Sequence, residues 1–224
     1  MELEVIRVAL AASMLGITCV SDIKKREISD VIWIVFGAIA VILIPFNQDM
    51  TTGLVKTGIA LIIAPVAIII WRFGLFGGAD AFALVVLAGL APSITLSNNI
   101  VTPFTTLTNA VLLSITPMIV NLCRNAILLA RGQNIFQGFN ETKSKRMLAM
   151  LIGYRAKNPK FGFSIEQHQG NNKRLSLSLQ HAEYAEFCNT KDTWITPGIP
   201  YMIFIAIGFA IQLFYGDILF RFLT

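Results

Sequence analysis

Six stretches of the chain, roughly 4–21, 31–47, 53–72, 79–97, 105–125 and 197–216, are apolar over about the twenty residues that a helix needs to cross a hydrocarbon core. No other feature restricts the fold as strongly. Inside a bilayer no water satisfies backbone N–H and C=O groups, so a segment that is not part of a closed barrel has to be helical. The pattern predicts an all-α polytopic membrane protein with six transmembrane helices. Charged residues make up 14% of the chain, against about 25% in soluble domains. Mean hydropathy is +0.67. The 224 residues leave length for one small polar segment but not for two soluble domains. The fourth stretch follows a glycine pair and contains Pro92, so a short or kinked helix is expected there. The first stretch follows the acidic Met1-Glu2-Leu3-Glu4 and lacks a small-residue cleavage site, so it is expected to remain as a span.

The basic residues orient the bundle, because Lys and Arg collect on the cytoplasmic side. If the loops after spans 1, 3 and 5 share a face, that face receives Lys24, Lys25, Arg26, Arg72, Arg124, Arg131 and nine more from the polar segment. The other face receives only Arg7, Lys56 and Arg221. Fifteen against three places the polar segment in the cytoplasm and both termini outside. The net charge of +5 is thus a matter of topology, and nucleic acid is not expected as a partner. Cys19, Cys123 and Cys188 are scattered, with no CxxC pair, and are read as small apolar or incidental residues.

Three parts are expected: a five-helix membrane part over 1–131, a cytoplasmic insert over 132–194, and the sixth helix over 195–224. The insert reads as a small α/β unit. Thr142 to Tyr154 groups Met147, Leu148, Met150 and Leu151 as a helix does. Phe161, Phe163 and Ile165 alternate with other residues, as do Leu175, Leu177 and Leu179, and Gly170-Asn171-Asn172 lies between the two runs. That predicts a hairpin. Asn140-Glu141-Thr142 fits a glycosylation sequon, discounted on a cytoplasmic face.

Charges within spans are functional candidates by default. Asp22 ends span 1 and Asp80 starts span 4. The chain crosses twice between them, so both return to one face, while Asp49 and Asp217 fall on the other. Asp80 follows Gly77-Gly78-Ala79 at a helix N-terminus, and Asp22 lies at a helix C-terminus, so the two sit in unequal dipole fields. Two such carboxylates can share a proton across a water, one as general base and the other as donor to a scissile carbonyl, as in aspartic proteases. His168 and His181 both lie in the polar segment, away from the spans. The residues alone leave other roles open. Asp22 is also placed to be a solvated neighbour of Lys24 and Lys25, and Asp80 to be a helix cap.

Ser21-Asp22-Ile23-Lys24-Lys25-Arg26-Glu27-Ile28-Ser29-Asp30 resembles the first signature of the prepilin peptidase superfamily. Gly77-Gly78-Ala79-Asp80 resembles its second, the GxGD motif, with Ala79 at the third position. Thr193-Trp194-Ile195-Thr196-Pro197-Gly198-Ile199-Pro200 is similar to the segment before the final helix of archaeal preflagellin peptidases, and the six-span layout is also theirs. Relatives often carry a lysine two residues after the motif aspartate, where this chain has Phe82.

The resemblance implies an intramembrane aspartyl endopeptidase that cuts the short basic leader from preflagellin or pilin-like precursors. It implies Asp22 and Asp80 as the catalytic pair, with Gly77, Gly78 and Ala79 as their motif, and neither metal nor cofactor. Without paired CxxC motifs, N-methylation is not expected. Glu27 and Asp30 are candidate subsites for a basic leader, although Ser29 or Asp30 is equally placed to cap span 2. A cation or proton carrier built on Asp80 is the rival class. Spans 2, 3 and 5 hold no acidic residue, which disfavours it. A non-catalytic assembly protein that keeps the motifs is a further alternative.

Overall fold

The computed structural model describes residues 2–47, 49–95, 100–169, 172–177 and 185–223. Two compact units emerge, Met1–Leu113 with Pro200–Thr224, and Ser114–Ile199.

The first unit contains the helices α1 (Glu2–Lys25), α2 (Asp30–Ile42), α3 (Met50–Ala60), α4 (Ile63–Arg72) and α5 (Gly78–Leu90), then the short strands β1 (Ile94–Thr95) and β2 (Ile100–Val101), and α6 (Phe104–Leu113). Helices α9 (Tyr201–Tyr215) and α10 (Ile218–Leu223) complete it. Helix α5 is the centre, packed against α1, α2, α3, α4 and α9. Nine of its thirteen residues are buried. The outer helices are apolar on the wrong side for water. Helix α1 exposes Val5, Ile6, Ile17 and Val20 and buries Arg7, Ala11, Met14, Leu15 and Thr18. Asp80, Asn109 and Gln212 are buried as well. An apolar rim around a partly polar interior is what lipid as solvent selects.

Three runs are long and apolar enough to cross a membrane: Glu2–Lys25, Met50–Arg72 and Phe104–Ala130, of 24, 23 and 27 residues. The other three expected spans are shorter than the sequence suggests. Asp30–Ile42 and Gly78–Leu90 have 13 residues each and Tyr201–Tyr215 has 15. At 1.5 Å per residue, thirteen residues reach only about 20 Å of a core about 30 Å thick.

The early ends have physical causes. Pro92 has no N–H and crowds the residue before it, and Ala91 has left the helical region at φ −131°, ψ 60°. The chain then enters β1 instead of continuing the 79–97 helix. Pro197, Gly198 and Pro200 delay the start of α9 to Tyr201. Carbonyls in the last turn of a helix lack intrahelical donors, and here Arg7 supplies them. Its Nη1 donates to Gly89 O and Leu90 O, both at 3.1 Å, and its Nη2 to Leu43 O at 2.9 Å. One buried guanidinium therefore caps both α2 and α5.

Helices α6 and α9 pack most extensively of all pairs. At Gly208 a methyl group would stand 2.7 Å from Thr106 O and 3.0 Å from Ala110 N, so the backbones touch. Asn109 Nδ2 donates to Gly216 O at 3.0 Å, and Thr106 Oγ1 to Gln212 Oε1 at 2.6 Å.

The second unit contains α7 (Thr116–Ala130), α8 (Lys143–Ile152), β3 (Tyr154–Ala156), β4 (Gly162–Ser164), β5 (Glu166–Gln169), β6 (Asn172–Leu175) and β7 (Thr193–Pro197). The expected insert helix is α8, with Thr142 as its N-cap and Gly153 at its end. Strand β7 is central in an antiparallel sheet of order β3-β7-β4. Trp194 is fully buried, stacks on Phe136 at 4.8 Å and donates from Nε1 to Ile135 O at 2.9 Å. The expected hairpin is real but displaced. Phe161 to Ser164 supplies β4, which pairs with β7, while β5 and β6 form the hairpin from Glu166↔Leu175 to Gln169↔Asn172. The buried stretch Thr193–Ile195 offered the first apolar run a partner that local alternation did not reveal. Gly170 and Asn171 of the turn, and Ser178, Leu179, Gln180 and His181, lie outside the described residues.

Candidate active site

On α1, Ala11, Leu15, Thr18 and Asp22 follow a four-three-four spacing, one face of a helix. Asp22 therefore continues the buried stripe at the end of the helix and is itself half-buried. Its Oδ2 accepts from the N–H of Met202 at 3.3 Å, in the first turn of α9. First-turn N–H groups have no intrahelical acceptor, so the carboxylate satisfies an orphan donor of another helix. The sequence reading considered only the α1 C-terminus as the setting of Asp22. Pro200, which fixes where α9 starts, was the signal for the second helix end.

Just beyond Asp22 the chain reverses. Arg26 takes φ 58°, its N–H donates to Asp22 O at 3.1 Å, and Ser21 Oγ donates to Glu27 O at 2.8 Å. Glu27 and Asp30 are both exposed on this connection. Ser29 occupies the N-cap position of α2 without a side-chain cap, and Asp30 is the first helical residue.

Asp80 sits in the first turn of α5 and is 7% exposed. Its Oδ2 accepts from the N–H of Gly77 at 2.9 Å, so it reaches back to the N-cap residue. The capping role left open for Asp80 is thus present, on a buried carboxylate. Gly77 is the N-cap, Gly78 is buried, and Ala79 packs on the core. Phe82 is 49% exposed and points away from that core.

Helix α5, which carries Asp80, packs on both α1, which carries Asp22, and α9, whose first turn Asp22 engages. The two carboxylates thus lie on packed neighbouring helices of one unit. Phe76, next to the glycine pair, packs its ring 5.6 Å from that of Tyr201, the first residue of α9. Phe76, Tyr201 and Met202 were not singled out from the sequence. Asp49 and Asp217 serve as caps. Asp49 accepts from the N–H groups of Thr51 at 3.0 Å and Thr52 at 3.2 Å, and Asp217 from Leu219 at 2.9 Å and Phe220 at 3.2 Å. The three cysteines are free.

The class these features define is a helical membrane protein with a carboxylate on each of two packed apolar helices. Residues 9–121, just over half of the chain and including both aspartates, match the Type IV leader peptidase family, and the chain belongs to that family. Residues 145–218 match the Archaeal Peptidase A24 C-terminus Type II. The chain is similar to the preflagellin peptidase of Methanococcus voltae, 27% identical over 94% of this chain and 96% of that one. It is 23% identical to that of Methanocaldococcus jannaschii over 90% of each, and 25% identical to that of Methanococcus maripaludis over 96% of each. It is therefore a protease of the leader-peptide-cleaving kind, built on membrane helices.

Proposed function

We propose that this chain is an aspartic-type endopeptidase that removes the short basic leader of preflagellin at the cytoplasmic membrane face, with Asp22 and Asp80 as the catalytic pair. The observation that carries the reading is that the helices bearing these two carboxylates pack on each other, with each carboxylate engaged by a helix-terminal N–H. One carboxylate takes a proton from a water while the other donates its own to the scissile carbonyl oxygen. The water oxygen bonds to the carbonyl carbon, and collapse of the diol breaks the C–N bond as the amine leaves protonated. The reading invokes no metal and no cofactor. Gly77, Gly78 and Ala79 form the start of α5, where the Gly77 N–H holds Asp80, and Glu27 and Asp30 offer negative charge to a basic leader. The substrate enters sideways from the bilayer and unwinds at the cut, because a helix hides its carbonyls in its own hydrogen bonds.

Six crossings complete the reading: α1, α2, α3 with α4, α5, α6 with α7, and α9. Non-helical chain finishes those that are short. The basic-residue asymmetry puts the insert in the cytoplasm and the termini outside. The same chemistry on type IV pilin-like precursors is the second reading, favoured by the family that residues 9–121 match.

The test is cleavage of a panel of preflagellin and pilin-like precursors by membranes holding the protein. Asp22→Asn and Asp80→Asn are each expected to lower cleavage by about a thousandfold or more while still inserting. Cleavage that survives either change overturns the mechanism, and the panel decides between the substrates. Glu27→Gln is expected to slow cutting of basic leaders more than of neutral ones. Equal slowing removes the subsite.

A further inference from the structure

Helix α8 reads Lys-Ser-Lys-Arg-Met-Leu-Ala-Met-Leu-Ile, with its cations at the front, its apolar residues behind and no acidic residue. At helical spacing Lys143, Met147 and Leu151 fall on one line, with Ser144 and Leu148 beside it. That line faces outward at Lys143 and Met147, and Leu151 at its end is half-buried. Met147 is 69% and Leu148 52% exposed, whereas Ala149 opposite is fully buried. The other two cations are held inward: Lys145 Nζ donates to Glu141 Oε1 and Arg146 Nη2 to Phe139 O, both at 2.9 Å. The outward face is thus basic in its first turn, at Lys143, and apolar after it.

The apolar end is fastened to a membrane helix. Asn125 Nδ2 on α7 donates to Met150 O at 2.9 Å and Gly153 O at 2.8 Å, and Asn121 Nδ2 to Leu151 O at 3.5 Å. Helix α7 is the later part of the apolar run Phe104–Ala130. Between the two asparagines, Arg124 lies over the Tyr154 ring at 3.9 Å. Tyr and Arg mark the membrane–water boundary, and Arg124 comes after about twenty residues of the run, the length that crosses a hydrocarbon core. The apolar end of α8 is therefore at boundary depth.

We propose that α8 is an interfacial lipid-binding helix, with Met147, Leu148 and Leu151 entering the edge of the acyl layer and Lys143 pairing with anionic headgroups. Adjoining outward apolar residues behind a basic first turn are the chemistry of a helix lying in the interface.

The full-length protein carrying Met147→Trp, and separately Leu148→Trp, is reconstituted in phosphatidylcholine vesicles with and without phosphatidylglycerol. Quenching by brominated acyl chains is read against the unmodified protein. Added quenching and a blue-shifted emission are expected, larger with phosphatidylglycerol. Lys143→Gln in the Met147→Trp background is expected to cut that added preference by up to about fivefold. Unquenched, water-like emission at both positions overturns the proposal. Equal quenching in the two vesicle types overturns the role of Lys143. A blue shift that grows with protein-to-lipid ratio and escapes brominated chains marks a second copy as the occupant, and also overturns it.

Discussion

The first unit and the part of the second that follows α7 solve opposite problems with one chain. The membrane unit turns Val5, Ile17 and Ile34 outward and keeps Arg7, Asn109 and Gln212 inside. The insert turns Lys157 and Lys160 outward and builds its centre on Trp194, Ile195 and Leu175. In the membrane unit, burial of apolar surface gives helices little reason to prefer each other over lipid, so close backbone packing and buried hydrogen bonds do the holding. In the insert, exclusion of apolar surface from water does it. The difference shows that burial alone does not say which residues stabilise a unit; the surrounding solvent has to be known first.

Three changes would break or sharpen this contrast. The largest effect is expected from Trp194→Ala, which removes the stacked, fully buried indole. A loss of about 3–5 kcal/mol is expected in the insert, seen as faster hydrogen exchange over β3, β4 and β7 with α5 still protected. Equal loosening of α5 would show that the units do not melt separately. Next comes Arg7→Met, an apolar exchange that suits lipid but leaves the carbonyls of Leu43, Gly89 and Leu90 without their donor. Destabilisation of about 2 kcal/mol, read as a lower thermal midpoint in micelles, is expected. A gain in stability would show that the membrane unit rewards apolar character after all.

The smallest effect is expected from acid. Burial pushes the Glu166 carboxyl up. The hydrogen bond from Lys173, the N–H of Trp194 and the Lys173 charge more than offset this and hold it below its ordinary 4.5. Burial likewise raises Glu141, which the Leu175 N–H and Lys145 bring below the same value. A depressed carboxyl stabilises fully above its unfolded value and loses that contribution as pH falls through the folded one. Insert stability is thus expected to be flat above about pH 5 and to fall below about pH 4.5. Glu166→Gln is expected to flatten that fall, and an unchanged profile would remove the ion pair from the account.

What the sequence revealed follows from the range of the forces. The apolar stretches and the helix at α8 rest on local composition and period, and the expectation that Asp22 and Asp80 share a face rests on counting crossings. Pro92 signalled the early end of α5, but Arg7, more than thirty residues from the nearer end, did not show as the donor to the last carbonyls of α2 and α5. Three of the six stretches make helices too short to cross a hydrocarbon core. Met202 as the partner of Asp22 is separated from it by 180 positions, and β7 as the partner of β4 by about thirty. Both are settled by packing that no period in the sequence encodes.

The contact at Gly208 has a mechanical consequence. With no side chain at Gly208 to hold them apart, and with Thr106 and Asn109 bonded across, the α6 and α9 backbones behave as one double-walled beam, and the N–H of Met202 is mounted near its tip. Such a beam resists bending, so any change in the gap between Asp22 and Asp80 has to be taken up at α1 and α5. Gly208→Ala would wedge the beam apart and shift the mounting point of Asp22 without touching either carboxylate.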